Sequence, residues 1–242
     1  MNTTQRKFSQ LPVFIVAGFL LMLLLQLVYH HFYKTSLLPS FTQLSKPANA
    51  ELYHSLAMGS DRLWSYLLLL KLQLHDNQKG RHVNYRQLDY QVLSQWLKTL
   101  SQLNPQSDYP AFLASRVYSQ VDDPQKIRKM IDLIDDLFQR NPQQHWRRMT
   151  EACLLAKHRL KDLNLALQLA QKVAALPDTF KLPFWARDMQ LVLLDELNQN
   201  ESAQLLISSL LQSGTIKDRD EIHFLQHRLL KIQQKLLENK HN

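Results

Sequence analysis

The fold is decided by residues 141–178, which read NPQQHWRRMTEACLLAKHRLKDLNLALQLAQKVAALPD. Asn141-Pro142 opens the stretch, and proline is tolerated in the first turn of a helix because its missing N–H would be unpaired there. The helical spacing of apolar residues is interrupted once in the middle and ends at Pro177-Asp178. Two helices, 144–159 and 162–176, are therefore predicted within one short unit.

The same punctuation recurs along the chain at a nearly constant interval. Pro105 and Pro142 are 37 residues apart, Pro142 and Pro177 are 35 apart, and Pro177 and Gly214 are 37 apart. Each interval holds two predicted helices, and a repeat of about 34–37 residues with two helices is typical of an α-solenoid. The helices predicted over this region are 49–75, 86–103, 107–119, 123–140, 144–159, 162–176, 183–198, 201–213 and 218–238.

The composition excludes several large classes of protein. The chain has 242 residues but only 4 glycines, where average usage of about 7% would give about 17. Glycine-rich phosphate loops, dinucleotide-binding turns and turn-dense β-sandwiches all need glycine at positive φ. Leucine and glutamine, which both favour helices, are abundant. The sequence therefore predicts an all-α protein.

A second pattern lies within residues 146–178. The residues that carry it are Trp146, Ala152, Lys161-Asp162, Ala166, Ala174 and Leu176-Pro177-Asp178. A large residue opening the first helix, a small residue within it, a tight turn and a closing turn with proline make this stretch similar to a tetratricopeptide repeat. The turn glycine of that family is absent, and Ala166 to Pro177 is one residue shorter than the family spacing. The resemblance implies a scaffold that binds other proteins through a helical surface.

The uncharged run Leu11–Tyr29 predicts a transmembrane helix. Its 19 residues would cover about 28 Å as a helix, close to the hydrocarbon thickness of about 30 Å. Aromatic and basic residues follow, as expected at the headgroups of a bilayer. They are Tyr29, His30, His31, Phe32, Tyr33 and Lys34. The run is longer than the apolar region of a signal peptide, and no small-x-small cleavage site directly follows it, which favours an uncleaved signal anchor.

The predicted organisation has four parts. They are a short basic tail at 1–10, the transmembrane helix at 11–29, a juxtamembrane segment and linker at 30–48, and a helical repeat domain at 49–242. The count of basic residues on the two flanks of the apolar run is nearly equal, with Arg6 and Lys7 before it and Lys34 and Lys46 after it. The positive-inside rule therefore favours neither orientation clearly. The short basic tail favours a periplasmic or extracytoplasmic repeat domain, anchored in the inner membrane if the source is a Gram-negative bacterium. The opposite topology, with the same scaffold facing the cytoplasm, stays open.

The repeat domain offers candidate partner contacts among its large aromatic residues and one arginine. These residue types dominate the binding energy of protein interfaces. The candidates are Trp96, Tyr118, Trp146, Arg147 and Trp185. An alternative use for such residues is packing between the helical layers. The apolar run Leu63–Leu74 is too short to cross a bilayer and is expected to be a buried helix at the start of the domain.

Catalytic or metal chemistry has a weaker basis. His223 and His227 are four residues apart and would share one helix face, where two imidazoles can chelate zinc. Phe224 stands where a zincin pattern requires glutamate. Asp132 and Asp136 are expected on a solvated helix face. No nucleophile, kinase or protease motif is present, and the excess of basic residues is too dispersed for a nucleic-acid binder.

The sequence thus predicts a single-pass membrane protein that presents a tetratricopeptide-like α-solenoid as an interaction scaffold. We expect it to act in the assembly or maturation of a membrane or envelope complex, without catalysis or a cofactor. The expected partners are other proteins and, through Leu11–Tyr29, the lipid bilayer. The alternative function is a metal-binding or enzymatic helical domain that uses His223 and His227.

Overall fold

The computed structural model describes residues 13–32, 43–78, 81–82, 84–214, 216 and 218–241. The predicted basic tail at 1–10, the start of the apolar run at Leu11 and Pro12, and the anchors Tyr33 and Lys34 lie outside these residues. The chain forms two compact units, Met1–Thr42 and Gln43–Asn242.

The described part of the first unit, residues 13–32, forms one helix, α1 (Val13–Phe32). It has 20 residues, and its side chains from Val13 to Tyr29 are exposed. The helix extends three residues beyond the predicted end at Tyr29. Among the described residues, no helix combines the length and the apolar character that crossing a membrane requires.

The second unit consists almost entirely of helices, so the all-α prediction is confirmed for the described residues. The exception there is a pair of two-residue antiparallel strands, β1 (Asn77–Gln78) and β2 (Arg81–His82). The helices are α2 (Ala50–Ala57), α3 (Asp61–Asp76), α4 (Tyr90–Leu103), α5 (Tyr109–Phe112), α6 (Pro124–Arg140), α7 (Pro142–His158), α8 (Leu163–Ala174), α9 (Phe184–Glu196), α10 (Asn200–Gln212) and α11 (Arg219–His241). A π-helical turn at Leu113–Tyr118 continues α5, and short 3₁₀ turns occupy Tyr85–Gln87 and Asp178–Phe180.

Local sequence explains where these helices begin. The side chains of Asp89, Asp123 and Asp162 accept hydrogen bonds from backbone N–H groups in the first turns of α4, α6 and α8. Asn141 caps α7 in the same way. Proline follows the cap in α6 and α7, as its fixed φ favours.

The prediction of a single helix over 49–75 is wrong. The chain leaves the helix after Ala57, because Met58 and Gly59 have φ values of 45° and 86°. These left-handed conformations end α2, and α3 starts afresh at Asp61. The expectation that Leu63–Leu74 is buried holds for only one side of α3. Leu68 and Leu72 are buried, whereas Leu63 and Leu74 are 59% and 60% exposed.

The helices from α3 onward pack as consecutive pairs. α7 packs against α6 and α8, and α8 packs against α9. Side-chain bonds join positions one repeat apart, both between the first helices of successive pairs and between the second helices. Those between first helices are Gln73–Tyr109, Arg116–Glu151, Lys157–Glu196 and Lys235–Asp195. Those between second helices are Lys129–Gln91, Lys98–Asp136 and Lys172–Asp135.

Small residues let α7 and α8 approach closely. Ala152 and Ala156 of α7 and Ala166 of α8 are fully buried, and Ala170 of α8 is nearly so. Larger residues fill the core between α4 and α6, where Leu97 and Ile134 are fully buried. The well-packed middle of the unit therefore fixes the position of α7 and α9 relative to α8.

Candidate protein-interaction surface

The five predicted contact residues separate into two groups. Trp96 and Tyr118 belong to the core, where they are 2% and 0% exposed. The indole N–H of Trp96 donates to the Ser45 carbonyl oxygen at 2.7 Å, and the Tyr118 hydroxyl donates to Asp76 Oδ2 at 2.7 Å. Both side chains serve packing and do not reach the surface in this conformation.

The other three residues lie together at the surface. Trp185 is 49% exposed, and its ring centroid lies 6.0 Å from that of Trp146. The Arg147 guanidinium lies over the Trp146 ring, 5.2 Å from its centroid. Trp146 and Arg147 come from α7 and Trp185 from α9, so helices one repeat apart bring them together.

An apolar groove extends from this aromatic pair between α7 and α9. We call it the aromatic groove, and its lining residues are Cys153, Leu154, Lys157, Trp185, Met189, Val192 and Leu193. Cys153 and Leu193 are buried and form its floor, while Leu154 and Val192 are 45% and 37% exposed at its rim. Its volume is about 210 Å³, below the roughly 300–1,000 Å³ of small-molecule pockets. It suits one or two side chains of a partner.

Helical spacing explains why these residues line one groove. Trp185, Met189 and Val192 recur at intervals of four and three residues, which places them on one face of α9. Cys153 and Lys157 share a face of α7 in the same way. α8 packs against both α7 and α9, so it holds the two walls in place.

The two ends of the aromatic groove differ in charge. At one end, Lys157 Nζ donates to Glu196 Oε1, so each neutralises the other. At the other end, Arg147 is exposed, and among the described residues its guanidinium lies over the Trp146 ring rather than beside a carboxylate. An uncompensated positive charge thus lies beside the aromatic pair, where it can attract a carboxylate.

The single cysteine contributes shape to the groove and no reactivity. Cys153 is 1% exposed, and burial raises the pKa of its thiol to about 12. The thiolate that nucleophilic chemistry requires is therefore scarce at neutral pH.

A second cluster, which sequence reasoning missed, fixes α7 against α5 and its π-helical continuation, which together are the first helix of the preceding pair. Glu151 accepts hydrogen bonds from Ser115 Oγ at 2.6 Å, Arg116 Nη2 at 2.7 Å and Arg148 Nη1 at 2.9 Å. Asp108 accepts one from Arg148 Nε at 2.7 Å and lies 2.9 Å from His145 Nδ1. We call these six residues the acid–arginine network. Residues of opposite charge about one repeat apart in the sequence, such as Arg116 and Glu151, were the signal that could have identified this cluster.

This network is built for packing rather than catalysis. Burial alone would raise the pKa of Glu151, but hydrogen bonds from Arg116, Ser115 and Arg148 outweigh it and hold the pKa below its ordinary value. The carboxylate is thus fixed in its charged, fully bonded form. A catalytic base needs instead a free lone pair and a pKa near the working pH.

Both histidines and Asp132 lie on outer helix faces, whereas Asp136, which was expected on a solvated face, is half-buried. His223 and His227 are both exposed on α11, and no three metal-ligating side chains come together in the described part of the chain. Asp132 pairs with Arg128 at 3.1 Å. Asp136 pairs with Lys98 at 2.9 Å and with Arg140 at 3.3 Å. The aspartates therefore act as ion-pair partners.

Comparison of the chain with protein-family models, with curated proteins and with solved structures gives no match.

Proposed function

We propose that this protein is a membrane-anchored helical-repeat scaffold and that its aromatic groove binds a segment of another protein. One observation carries the proposal: Trp146, Arg147 and Trp185 converge at the surface of two helices one repeat apart. Trp146 is half-buried, whereas Trp185 is 49% exposed and Arg147 is exposed. Exposing a tryptophan to water has a cost, and Trp and Arg are enriched at binding hot spots.

The proposed architecture is an α-solenoid of tetratricopeptide-like pairs. Its support is the side-chain bonding between helices one repeat apart and the burial of the small positions Ala152 and Ala166. In such an array, the first helix of each pair lies beside the first helix of the next. α7 and α9 are successive first helices, so a groove between them is a natural place for a partner segment.

The chemistry of the aromatic groove defines the segment it would bind. Its apolar lining favours a large aliphatic or aromatic side chain, and its volume limits that anchor to one or two residues. Arg147 favours a carboxylate next to the anchor, because an arginine stacked on an indole can still donate to an acidic group. The proposed ligand is therefore a peptide segment with a large apolar residue beside Asp or Glu.

The proposed anchor is the uncharged run Leu11–Tyr29, most of which α1 contains. Support comes from the exposure of the apolar side chains of α1, since a lone helix with leucine on all sides is unfavourable in water. The repeat domain is proposed to face the periplasm or an equivalent extracytoplasmic compartment.

A comparative pull-down tests the groove. The full chain, tagged at its C-terminus, is recovered from detergent-solubilised membranes after crosslinking in cells, alongside the Trp185→Ala variant. Losing a hot spot costs about 2 kcal/mol or more, so the Kd for a specific partner should rise about 30-fold or further and its recovery should fall. The matched control is Leu230→Ala, which removes a side chain that is 59% exposed on α11. Equal partner recovery from both variants would refute the groove as the binding site.

Alkaline extraction and reporter fusions test the anchor. The full chain should remain in the membrane pellet after carbonate treatment, whereas a chain lacking residues 1–42 should be released. A C-terminal reporter active only outside the cytoplasm should be active on the full chain. Release of the full chain by carbonate would contradict membrane insertion, and an inactive reporter on an expressed chain would favour the opposite topology.

A further inference from the structure

A small cleft lined mainly by basic side chains lies between α9 and α11. Asp195 of α9 lines one side of it. The lining residues from α11 are Phe224, His227, Arg228, Lys231, Ile232 and Lys235. We call it the basic cleft. Its volume is about 200 Å³, below the roughly 300–1,000 Å³ of pockets for drug-sized ligands, so it suits a compact group.

The sequence of α11 explains why the cations line one cleft. Arg228, Lys231 and Lys235 recur at intervals of three and four residues, which places them on one side of the helix. Between Glu221 and Glu238 the sequence has no acidic residue. Like charges at these intervals destabilise a helix, so a negative charge bound among them is stabilising.

Asp195 supplies only part of that negative charge. It accepts hydrogen bonds from Lys235 Nζ at 2.7 Å and from Arg228 Nη2 at 3.5 Å. Among the described lining residues it is the one carboxylate beside three permanent cations. Without counting His227, the lining therefore keeps two net positive charges. Asp188, the other carboxyl on which Arg228 acts, is buried and does not line the cleft.

The Arg228 guanidinium is held in position from several sides. Besides Asp195, its Nη2 donates to the Leu191 carbonyl oxygen at 3.4 Å, and its Cζ lies 5.8 Å from the centroid of the Phe224 ring. Its side chain is only 19% exposed. Both of its hydrogen bonds to described residues use Nη2, so Nε and Nη1 can donate to a ligand. The exposed Lys231 adds a flexible second donor.

We propose that the basic cleft binds a phosphate group. A phosphate monoester carries about −1.5 to −2 charges at pH 7 and three strong acceptor oxygens, which matches the two net positive charges of the lining. A pre-positioned arginine with a neighbouring lysine is a favourable donor set for phosphate. A single carboxylate would repeat what Asp195 already supplies. Free phosphate and the phosphate esters of lipid headgroups present the same chemistry.

Phosphorus-31 NMR of the full chain in micelles of a phosphate-free detergent tests the proposal. Inorganic phosphate is titrated at pH 7.5 and at an ionic strength held constant with sodium chloride, and its line width reports binding. Two or three charge-assisted hydrogen bonds correspond to a Kd of about 1 mM, so we expect saturable broadening in that range.

Variants locate the bound phosphate. Lys231→Gln removes one charged donor and should raise the Kd about tenfold or more, whereas Lys231→Arg should bind as the unchanged chain does. The matched control is Lys129→Gln, which removes the same charge at an exposed position of α6 and should leave the Kd unchanged. Trp185→Ala should also leave it unchanged, because neither the aromatic groove nor the membrane anchor enters this prediction.

A second titration with glycerol 3-phosphate, the headgroup of phosphatidic acid, distinguishes the two sources. Tighter binding of the ester than of inorganic phosphate would assign the basic cleft to a headgroup-type phosphate, and the reverse order would assign it to free phosphate.

Three results would overturn the proposal. One is the lack of saturable broadening. Another is equal weakening by Lys231→Gln and Lys129→Gln, because that would reflect the overall charge of the protein and not the basic cleft. The third is displacement of phosphate by an equal concentration of acetate, which would identify a carboxylate as the ligand.

Discussion

At the scale of single residues, Asp188 is the most unusual charged group of the repeat domain. It is 7% exposed on α9, and its Oδ2 has no hydrogen-bond partner among the residues that the structure describes. Burial, together with the negative charge of Glu221, raises its pKa from 3.8 to about 6, against an opposing effect of Arg228. The folded state thus holds the Asp188 proton more tightly than the unfolded state. Its contribution to stability is present below pH 3.8 and is lost as the pH rises through about 6.

Replacement of this carboxyl should stabilise the protein at neutral pH. Asp188→Asn should raise the free energy of unfolding at pH 7.5 by about 1–3 kcal/mol and flatten its decline between pH 4 and 6. Urea unfolding at pH 4.5 and 7.5 measures both. The control is Asp195→Asn, which loses the ion pair to Lys235 and should be mildly destabilising at pH 7.5. A destabilised Asp188→Asn at that pH would contradict the assignment.

Glu151 should have the opposite pH dependence. Its pKa lies below its ordinary value because of bonds from Arg116, Ser115 and Arg148. Its contribution to stability is therefore present above pH 4.5 and is lost as the pH falls through its folded-state value. Glu151→Gln should cost about 2 kcal/mol at pH 7, since hydrogen bonds to charged groups are worth about 1.5–3 kcal/mol.

The matched control for Glu151 is Glu196→Gln, which breaks the more exposed pair with Lys157. An exposed pair is worth under about 1 kcal/mol. Equal losses of unfolding free energy for the two variants, measured by urea titration at pH 7, would show that the acid–arginine network does not hold α7 in place.

At the scale of helices, the sequence predicted the order and type of the elements well. It predicted poorly which side of each helix is exposed. Asp and Asn caps followed by proline are local signals, so the starts of α6 and α7 were close to their predicted positions. The break after Ala57 was missed because helix-forming residues lie on both sides of Gly59, and a single glycine inside a helical pattern is tolerated. The two-sided character of α3 was also missed, since a run of leucines does not reveal which of them another helix covers.

Close approach of α7 and α8 depends on small residues at the contact. Ala166 is fully buried there, so Ala166→Leu should lower the free energy of unfolding by about 1–3 kcal/mol through overpacking. Ala175→Leu adds the same side chain at an exposed position one residue beyond α8 and should change stability little. Thermal unfolding of both variants measures the difference, and a neutral Ala166→Leu would contradict close packing at this site.

At the scale of the whole molecule, the repeat interval predicted which helices lie one unit apart, but not which aromatics lie outside. Trp96 and Trp185 both lie on predicted helices, yet the Trp96 indole donates to the Ser45 carbonyl oxygen in the core, whereas Trp185 lines the aromatic groove. That difference arises from contacts between segments distant in sequence. The acid–arginine network arises in the same way, from residues about one repeat apart.

The unit Gln43–Asn242 should fold without the first 42 residues. It has its own buried core. The hydrogen bond from the Trp96 indole N–H to the Ser45 carbonyl oxygen holds the first residues of the unit against this core. A fragment of residues 43–242 should give a helical circular-dichroism spectrum and a cooperative thermal transition. A helical spectrum without such a transition would mean that the core needs the preceding segment.

The most direct test of the central claim is a photo-crosslinking amino acid placed at Trp185 in the full chain within cells, with the same group at Leu230 as control. Mass spectrometry of the adducts identifies the crosslinked peptide. We predict that position 185 captures a segment of another protein in which a large apolar residue adjoins Asp or Glu, and that position 230 does not. Identical adducts at both positions, or no protein adduct at 185, would contradict the account.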